Sequence, residues 1–194
     1  MAVQINQAMI IGAGIGGLCT AIGLRQMGIE AAVYEQAVTF GEVGAGLTLW
    51  ANAIKGLRRL GIAEEALGGA RVCRSAALDW KGRVLSALPL DELEEELGAP
   101  TLAVHRADVH RALLAMLPEG VIHTNKSCTG FVQDAAGVTA RFADGSAAHG
   151  DLLVGADGIH STVRRAMVPA EGPPRWNGNV LWRATSRAKP FLSG

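Results

Sequence analysis

The sequence carries few of the features by which proteins usually declare their chemistry. Its 194 residues include three cysteines, Cys19, Cys73 and Cys128, with no CxxC pair and no histidine at metal-ligand spacing. That excludes a structural zinc site or a disulfide framework and leaves small apolar side chains in a reducing compartment. The five histidines are equally dispersed. No metal ligand is assigned, and no Ser–His or Cys–His pair is in view. Basic and acidic residues number 18 each, so the net charge is zero and no basic cluster forms. Such a balance lacks the electrostatic footprint of a nucleic-acid binder or of a membrane-surface protein. Apolar runs such as 8–11 are far too short to span a bilayer. The opening MAVQINQ lacks the basic start, apolar stretch and cleavage site of a signal peptide, so a cytoplasmic location is expected.

Against these absences, hydrophobic residues make up 49% and charged residues 19%, a composition that buries a core. Gln7–Ile11 is a short apolar run ending in glycine and reads as a buried parallel strand. Residues 16–27 carry helical apolar spacing and stop at Gly28, and 31–34 is a second β-prone run. The unit has the size of a βαβ crossover, about 30 residues. A Gly-rich loop over 41–46 precedes a helix over 51–60. Strands over 71–80 and 83–88 flank Lys81-Gly82 as a hairpin. The acidic run 91–97 has leucines at helical spacing and reads as a solvated helix face, not as paired catalytic acids. A helix follows over 107–117. Strands over 121–123, 130–133, 137–142 and 147–154, broken by Asp134–Gly137 and Asp144-Gly145, then form an antiparallel meander. A helix over 161–167 and a strand-like piece over 180–184 complete the pattern. Trp50 is expected in the core.

Gly12-Ala-Gly14-Ile-Gly16-Gly17 matches GxGxxG through Gly12, Gly14 and Gly17. Gly12 permits a tight strand-to-helix turn, Gly14 has no Cβ to block a pyrophosphate, and Gly17 lets the helix lie close to the sheet. The helix N-terminus offers unpaired N–H groups and the positive end of its dipole. Glu35 closes the next strand, where a carboxylate can accept both hydroxyls of a ribose. To this point NAD and FAD fit equally.

Three further segments separate them: GEVGAGLTLWANAIKGLRRLGI, VHRADVHRALL and DLLVGADGIHSTVRR. Together with the glycine motif, and in this order, they resemble the single-component FAD-dependent aromatic hydroxylases, the family of para-hydroxybenzoate and salicylate hydroxylases. The resemblance runs from about Met9 to Arg165. It implies that Gly12, Gly14, Gly17 and Glu35 hold the ADP half of FAD. It implies that Arg106, of the R-x-x-L/V-H segment, reaches the pyrophosphate or ribityl region, a role that suits a guanidinium's paired donors. Asp157-Gly158, with Ser161 and Arg164 beyond, would serve FAD and a transient NAD(P)H; Asp157 could equally be a helix N-cap. The loop Gly44-Ala-Gly46-Leu47-Thr48 would pass beside the isoalloxazine. Thr48 stands where some members carry a catalytic histidine, so the catalytic residues are unknown. The implied reaction is hydroxylation of a small aromatic or N-heteroaromatic substrate with NAD(P)H and O2, through a flavin C4a-hydroperoxide. Two alternatives stay open: another FAD-dependent oxidoreductase of this fold, or a non-catalytic dinucleotide-binding remnant.

The expected fold is therefore α/β, a Rossmann-like FAD-binding domain with an inserted antiparallel meander and the start of a substrate-domain sheet. Residues 1–70 are read as the FAD-binding βαβ unit and following helix, and 71–100 as a substrate-domain hairpin and acidic helix. Residues 101–170 are read as the remainder of the FAD-binding domain, and 171–194 as the start of a second substrate segment. A complete family member is about twice as long and carries a second Gly-Asp motif. An N-terminal piece is expected, completed by a homo-oligomer or by a C-terminal chain. The substrate and the choice between NADH and NADPH are not legible.

Overall fold

The computed structural model describes residues 4–41 and 45–182. The chain opens with β1 (Gln7–Ile11), α1 (Ile15–Gln26) and β2 (Glu30–Tyr34). It continues through β3 (Gly46–Leu49), α2 (Ala51–Arg59), a 3-10 turn at Glu64–Leu67, β4 (Ala70–Arg71), β5 (Arg74–Leu78) and β6 (Val84–Pro89). Then come α3 (Leu90–Leu97), β7 (Leu102–His105) and α4 (Arg106–Ala115). The rest is β8 (Ile122–His123), β9 (Cys128–Asp134), β10 (Gly137–Phe142), β11 (Ala147–Gly150), β12 (Leu152–Gly155) and α5 (Thr162–Met167). Two compact units form: Met1–Glu42 with His110–Asn177, and Val43–Val109 with Gly178–Gly194.

In the first unit a parallel sheet runs β12-β1-β2-β8. Four consecutive residues of β1, Ala8 to Ile11, are buried. A strand apolar on both faces is stable only inside a sheet that is covered on both sides. On one side Met9 and Ile11 pack with Val138, Ala140 and Phe142 of the β11-β10-β9 meander and with Val163 of α5. Alternation along β10 puts exactly those three side chains inward while Arg141 stays exposed. Helix α1 buries Gly17, Leu18, Ala21 and Ile22. It ends where Gly28 N–H bonds the Arg25 carbonyl and Ile29 N–H the Leu24 carbonyl, a paired closure that satisfies its last carbonyls.

The second unit holds an antiparallel sheet, β3-β7-β4, and the separate hairpin β5-β6. Helix α2 buries Ala51, Ile54 and Leu57 at helical spacing. Every residue of β5 and β6 is exposed.

Four expectations need correction. The run 121–123 does not belong to the antiparallel meander: β8 pairs in parallel with β2, at the edge of the first sheet. The run 147–154 is not one strand but two: β11 joins the meander, and β12 pairs in parallel with β1. The break falls at Asp151, whose carboxylate accepts N–H bonds from Asn6 (2.7 Å) and Gln7 (2.9 Å), turning the chain from one sheet to the other. Trp50 is not a core residue; it is 47% exposed and stands just ahead of α2. The strand expected over 180–184 is irregular in its described part, 180–182. Its last two residues, the rest of 183–194, and Gly44 with Glu42 and Val43 of the Gly-rich loop lie outside the described residues. The β3-β7-β4 sheet was not anticipated, because strands of four, four and two residues carry too short an alternation to read.

Candidate functional site

Because β12, β1 and β2 are parallel and adjacent, their carboxyl ends open side by side. Open α/β sheets bind ligands at this edge. A cleft of about 280 Å³ lies there in the first unit. Its lining includes Gly12, Gly14, Glu35, Gln36, Lys126, Ser127, Cys128, Asp157, Gly158 and His160. The structure thus brings together five of the residues singled out from sequence. Gly17 stands behind the cleft, in the packing of α1.

Each glycine of the motif meets a different demand. Gly12 adopts φ +104°, and a Cβ there would lie 2.4 Å from the Ala156 carbonyl oxygen. At Gly17 a Cβ would lie 1.9 Å from the Gly12 carbonyl oxygen, so the helix can lie on the loop only without one. Around Gly14, by contrast, an added Cβ would meet nothing within 4 Å, and φ is an ordinary −70°. Gly14 is also the N-cap of α1. It supplies no side-chain cap, and no acidic residue sits in the first turn. The first N–H groups of a helix have no intrahelical acceptor. Here they open at the cleft edge with their dipole uncompensated, which suits an anion.

Glu35 follows β2, and its carboxylate is already engaged. Oε2 accepts the Ala13 N–H (2.7 Å) and Oε1 the Ala37 N–H (2.8 Å). A carboxylate has about four lone-pair sites, so two remain for hydroxyl donors in the cleft.

Asp157 both lines the cleft and organises α5. Its Oδ2 accepts N–H bonds from Thr162 (2.6 Å) and Val163 (3.3 Å), and Oδ1 accepts the Ser161 hydroxyl. Ser161 is the N-cap, its Oγ accepting the Arg164 N–H at 2.9 Å. The N-cap is therefore Ser161 and not Asp157, whose carboxylate instead takes the N–H groups of the first two helical residues, and Gly158 (φ +81°) begins the turn between them.

Arg106 belongs to the second unit, where it opens α4 and donates its backbone N–H to the Ala45 carbonyl (3.4 Å). Thr48 lies in β3 with its side chain exposed.

Sequence reasoning missed the wall made by residues 126–128. Backbone bonds from Asn125 N–H to the Ala37 carbonyl (3.0 Å) and from Lys126 N–H to the Glu35 carbonyl (2.8 Å) dock this loop on the end of β2. Asn125 adopts φ 57°, a left-handed geometry that asparagine tolerates. The Lys126 ammonium turns to Asp144 (2.6 Å) and Ser146 (2.8 Å). Its hydrogen bond, with those of Ser146, holds the Asp144 carboxyl far below the usual carboxylate range. Burial pushes the Cys128 thiol up, so it is a neutral wall residue at physiological pH. Nothing local in TNKSC signals any of this; only the pairing of β8 beside β2 brings the loop to the cleft.

Comparison with known proteins agrees with this geometry. The chain is 41% identical to a 3-amino-4-hydroxybenzoate 2-monooxygenase of Streptomyces platensis over 183 residues, 90% of this chain and 44% of that protein. It is 38% identical to a 6-hydroxynicotinate 3-monooxygenase of Bordetella bronchiseptica, over 90% of this chain and 46% of the relative. The crystal structure of Klebsiella pneumoniae HpxO complexed with FAD and uric acid superposes with a TM-score of 0.74 at 36% identity, covering 82% of this chain and 41% of that one. The chain thus spans less than half the length of the curated relatives it matches. Residues 6–181 match the family described as FAD binding domain, and with the glycine loop, the uncapped α1 and Glu35 around one cleft, the chain belongs to that family.

Proposed function

We propose that the chain holds the ADP half of FAD in this cleft, as the N-terminal portion of an FAD-dependent monooxygenase. The reaction is hydroxylation of a small aromatic or N-heteroaromatic substrate with NAD(P)H and O2. The observation that carries the reading is Gly14, a glycine that neither backbone conformation nor packing requires, facing a cleft at the uncapped start of a helix. Close approach of a phosphate is the demand that remains. Gly12 and Gly17 build the turn, the first N–H groups of α1 take the pyrophosphate, and the spare lone pairs of Glu35 take ribose hydroxyls. Asp157 holds the loop that presents Gly158, while the Arg106 guanidinium supplies paired donors to the phosphate or ribityl region. The flavin, when bound, supplies the redox chemistry among nicotinamide, oxygen and aromatic ring. The protein binds, orients and excludes water.

The names of the relatives, an aminohydroxybenzoate and a hydroxynicotinate monooxygenase, support a small aromatic acid as substrate. The division of the chain at 70, 100 and 170 into cofactor-binding and substrate-domain segments is part of the proposal. So are a cytoplasmic location and completion of the substrate domain by a further chain or a second copy. Among the described residues no helix is long and apolar enough to cross a membrane.

The test is an FAD titration of the purified chain, followed by visible absorption, with NAD(P)H oxidation screened over hydroxylated aromatic acids. Flavin bound weakly, with no coupled hydroxylation, is expected of this chain alone. A folded chain that leaves the visible spectrum of added FAD unperturbed up to millimolar concentration would sink the cofactor assignment. Tight stoichiometric flavin with substrate-dependent NAD(P)H oxidation would overturn the partial-enzyme reading.

A further inference from the structure

The glycine loop is gripped at a residue the motif leaves unspecified. Ala13 lies between Gly12 and Gly14 and is 2% exposed. Its N–H is donated to Glu35 Oε2 at 2.7 Å. Its carbonyl oxygen lies 2.7 Å from Nε2 of His110, a partly buried contact spanning 97 residues of sequence. The His110 ring is itself held by Phe40, with centroids 5.1 Å apart and planes tilted by 56°. One peptide unit on either side of Ala13 is thus anchored, one to the end of β2 and the other to α4. A carbonyl oxygen can only accept, so the imidazole must carry its proton on Nε2.

We infer that His110 is a positioning residue for the dinucleotide: its Nε2–H clamps the Ala13 carbonyl and so fixes the peptide linking Ala13 to Gly14. The N–H of that same peptide belongs to Gly14, the cleft-lining residue at the start of α1. Locking the carbonyl of a planar peptide also locks the direction of its N–H. The clamp therefore aims a phosphate-facing donor before any ligand arrives. Preorganisation of this kind raises affinity by lowering the ordering cost of binding. His110 closes the segment that begins at Arg106, so that segment would contribute two distinct devices. The inference rests on the FAD reading for its ligand, but the clamp itself can be measured without one.

Two variants and one wild-type measurement test it. His110→Gln places an amide donor near the position of Nε2, whereas His110→Asn is polar but too short to reach. In the FAD-free chain, amide exchange over residues 13–18 should be several-fold faster in H110N than in wild type, and near wild type in H110Q. FAD affinity, followed by flavin fluorescence, should fall about five- to tenfold in H110N and be restored within about twofold in H110Q, as for one hydrogen bond. Unchanged exchange in H110N overturns the clamp. So does an H110Q as impaired as H110N, since ring packing on Phe40 and not the donor would then hold the loop. If H110N does not fold, the tautomer of wild-type His110 above pH 8, read by long-range 1H–15N NMR, decides. Nε2–H supports the clamp and Nδ1–H overturns it. Failure of wild type to bind FAD would sink the cofactor reading while the exchange and tautomer results still decide the clamp.

Discussion

A methyl group at Gly17 would lie 1.9 Å from the Gly12 carbonyl oxygen, so Gly17→Ala forces α1 away from the loop. Overpacking of this kind costs about 1–3 kcal/mol, and urea denaturation should show at least that loss. Gly14→Ala meets open space and an ordinary φ. Its cost to stability should not exceed about 1 kcal/mol, the range for N-cap changes. Its effect belongs to binding, with FAD affinity falling about tenfold or more because the methyl enters the phosphate's path. An FAD titration beside a urea curve separates the two variants. Equal affinity in G14A and wild type would remove the main support for a phosphate at that position.

At the scale of elements, the capping of α5 and the switch from β11 to β12 are the testable devices. Ser161→Ala removes the acceptor for the Arg164 N–H and should cost about 1 kcal/mol by thermal or urea unfolding. Asp151 is held below its ordinary range by the N–H groups of Asn6 and Gln7. A carboxyl whose folded-state value is depressed stabilises the fold above its unfolded value, about 3.9, and that contribution is lost as pH falls through the lower folded value. Wild type should therefore melt above Asp151→Asn near neutral pH, and the two curves should converge as the pH is lowered below about 3.9. A gap that persists at low pH would mean that the ionised carboxylate is not what holds the junction.

At the scale of the whole molecule, stability is unevenly distributed. The parallel sheet and meander share a core built on Met9, Ile11 and Phe142, whereas all of β5 and β6 is exposed, with Leu78, Val84 and Leu85 each more than half accessible. A two-stranded hairpin without a packed face is marginal in water. Its amides should exchange fastest among the strands, orders of magnitude ahead of β1, as a hydrogen-exchange map would show. Slow exchange in the hairpin would mean that something covers it in solution. The βαβ unit, Glu35 and the hairpin were legible because each is written in contiguous residues with a turn or cap between them. The two-strand reading of 147–154 was not, because the interruption His149-Gly150-Asp151 is too short to declare a change of sheet. Only a bond to residues 144 and 145 positions away divides it.

By itself the sequence determined the glycine turn, the helix that follows it and the carboxylate at the end of β2. These depend on backbone freedom, side-chain period and spacing within about 30 residues. Only the tertiary structure decided that β12 pairs beside β1, carrying Asp157 and Gly158 to the edge where Gly12 and Glu35 already lie. It alone decided that Lys126 spends its charge on Asp144 and that His110 meets Ala13 across 97 residues. A parallel partner is reached through a crossover that leaves no local trace, and a buried carbonyl takes whichever donor the packed helix brings to it.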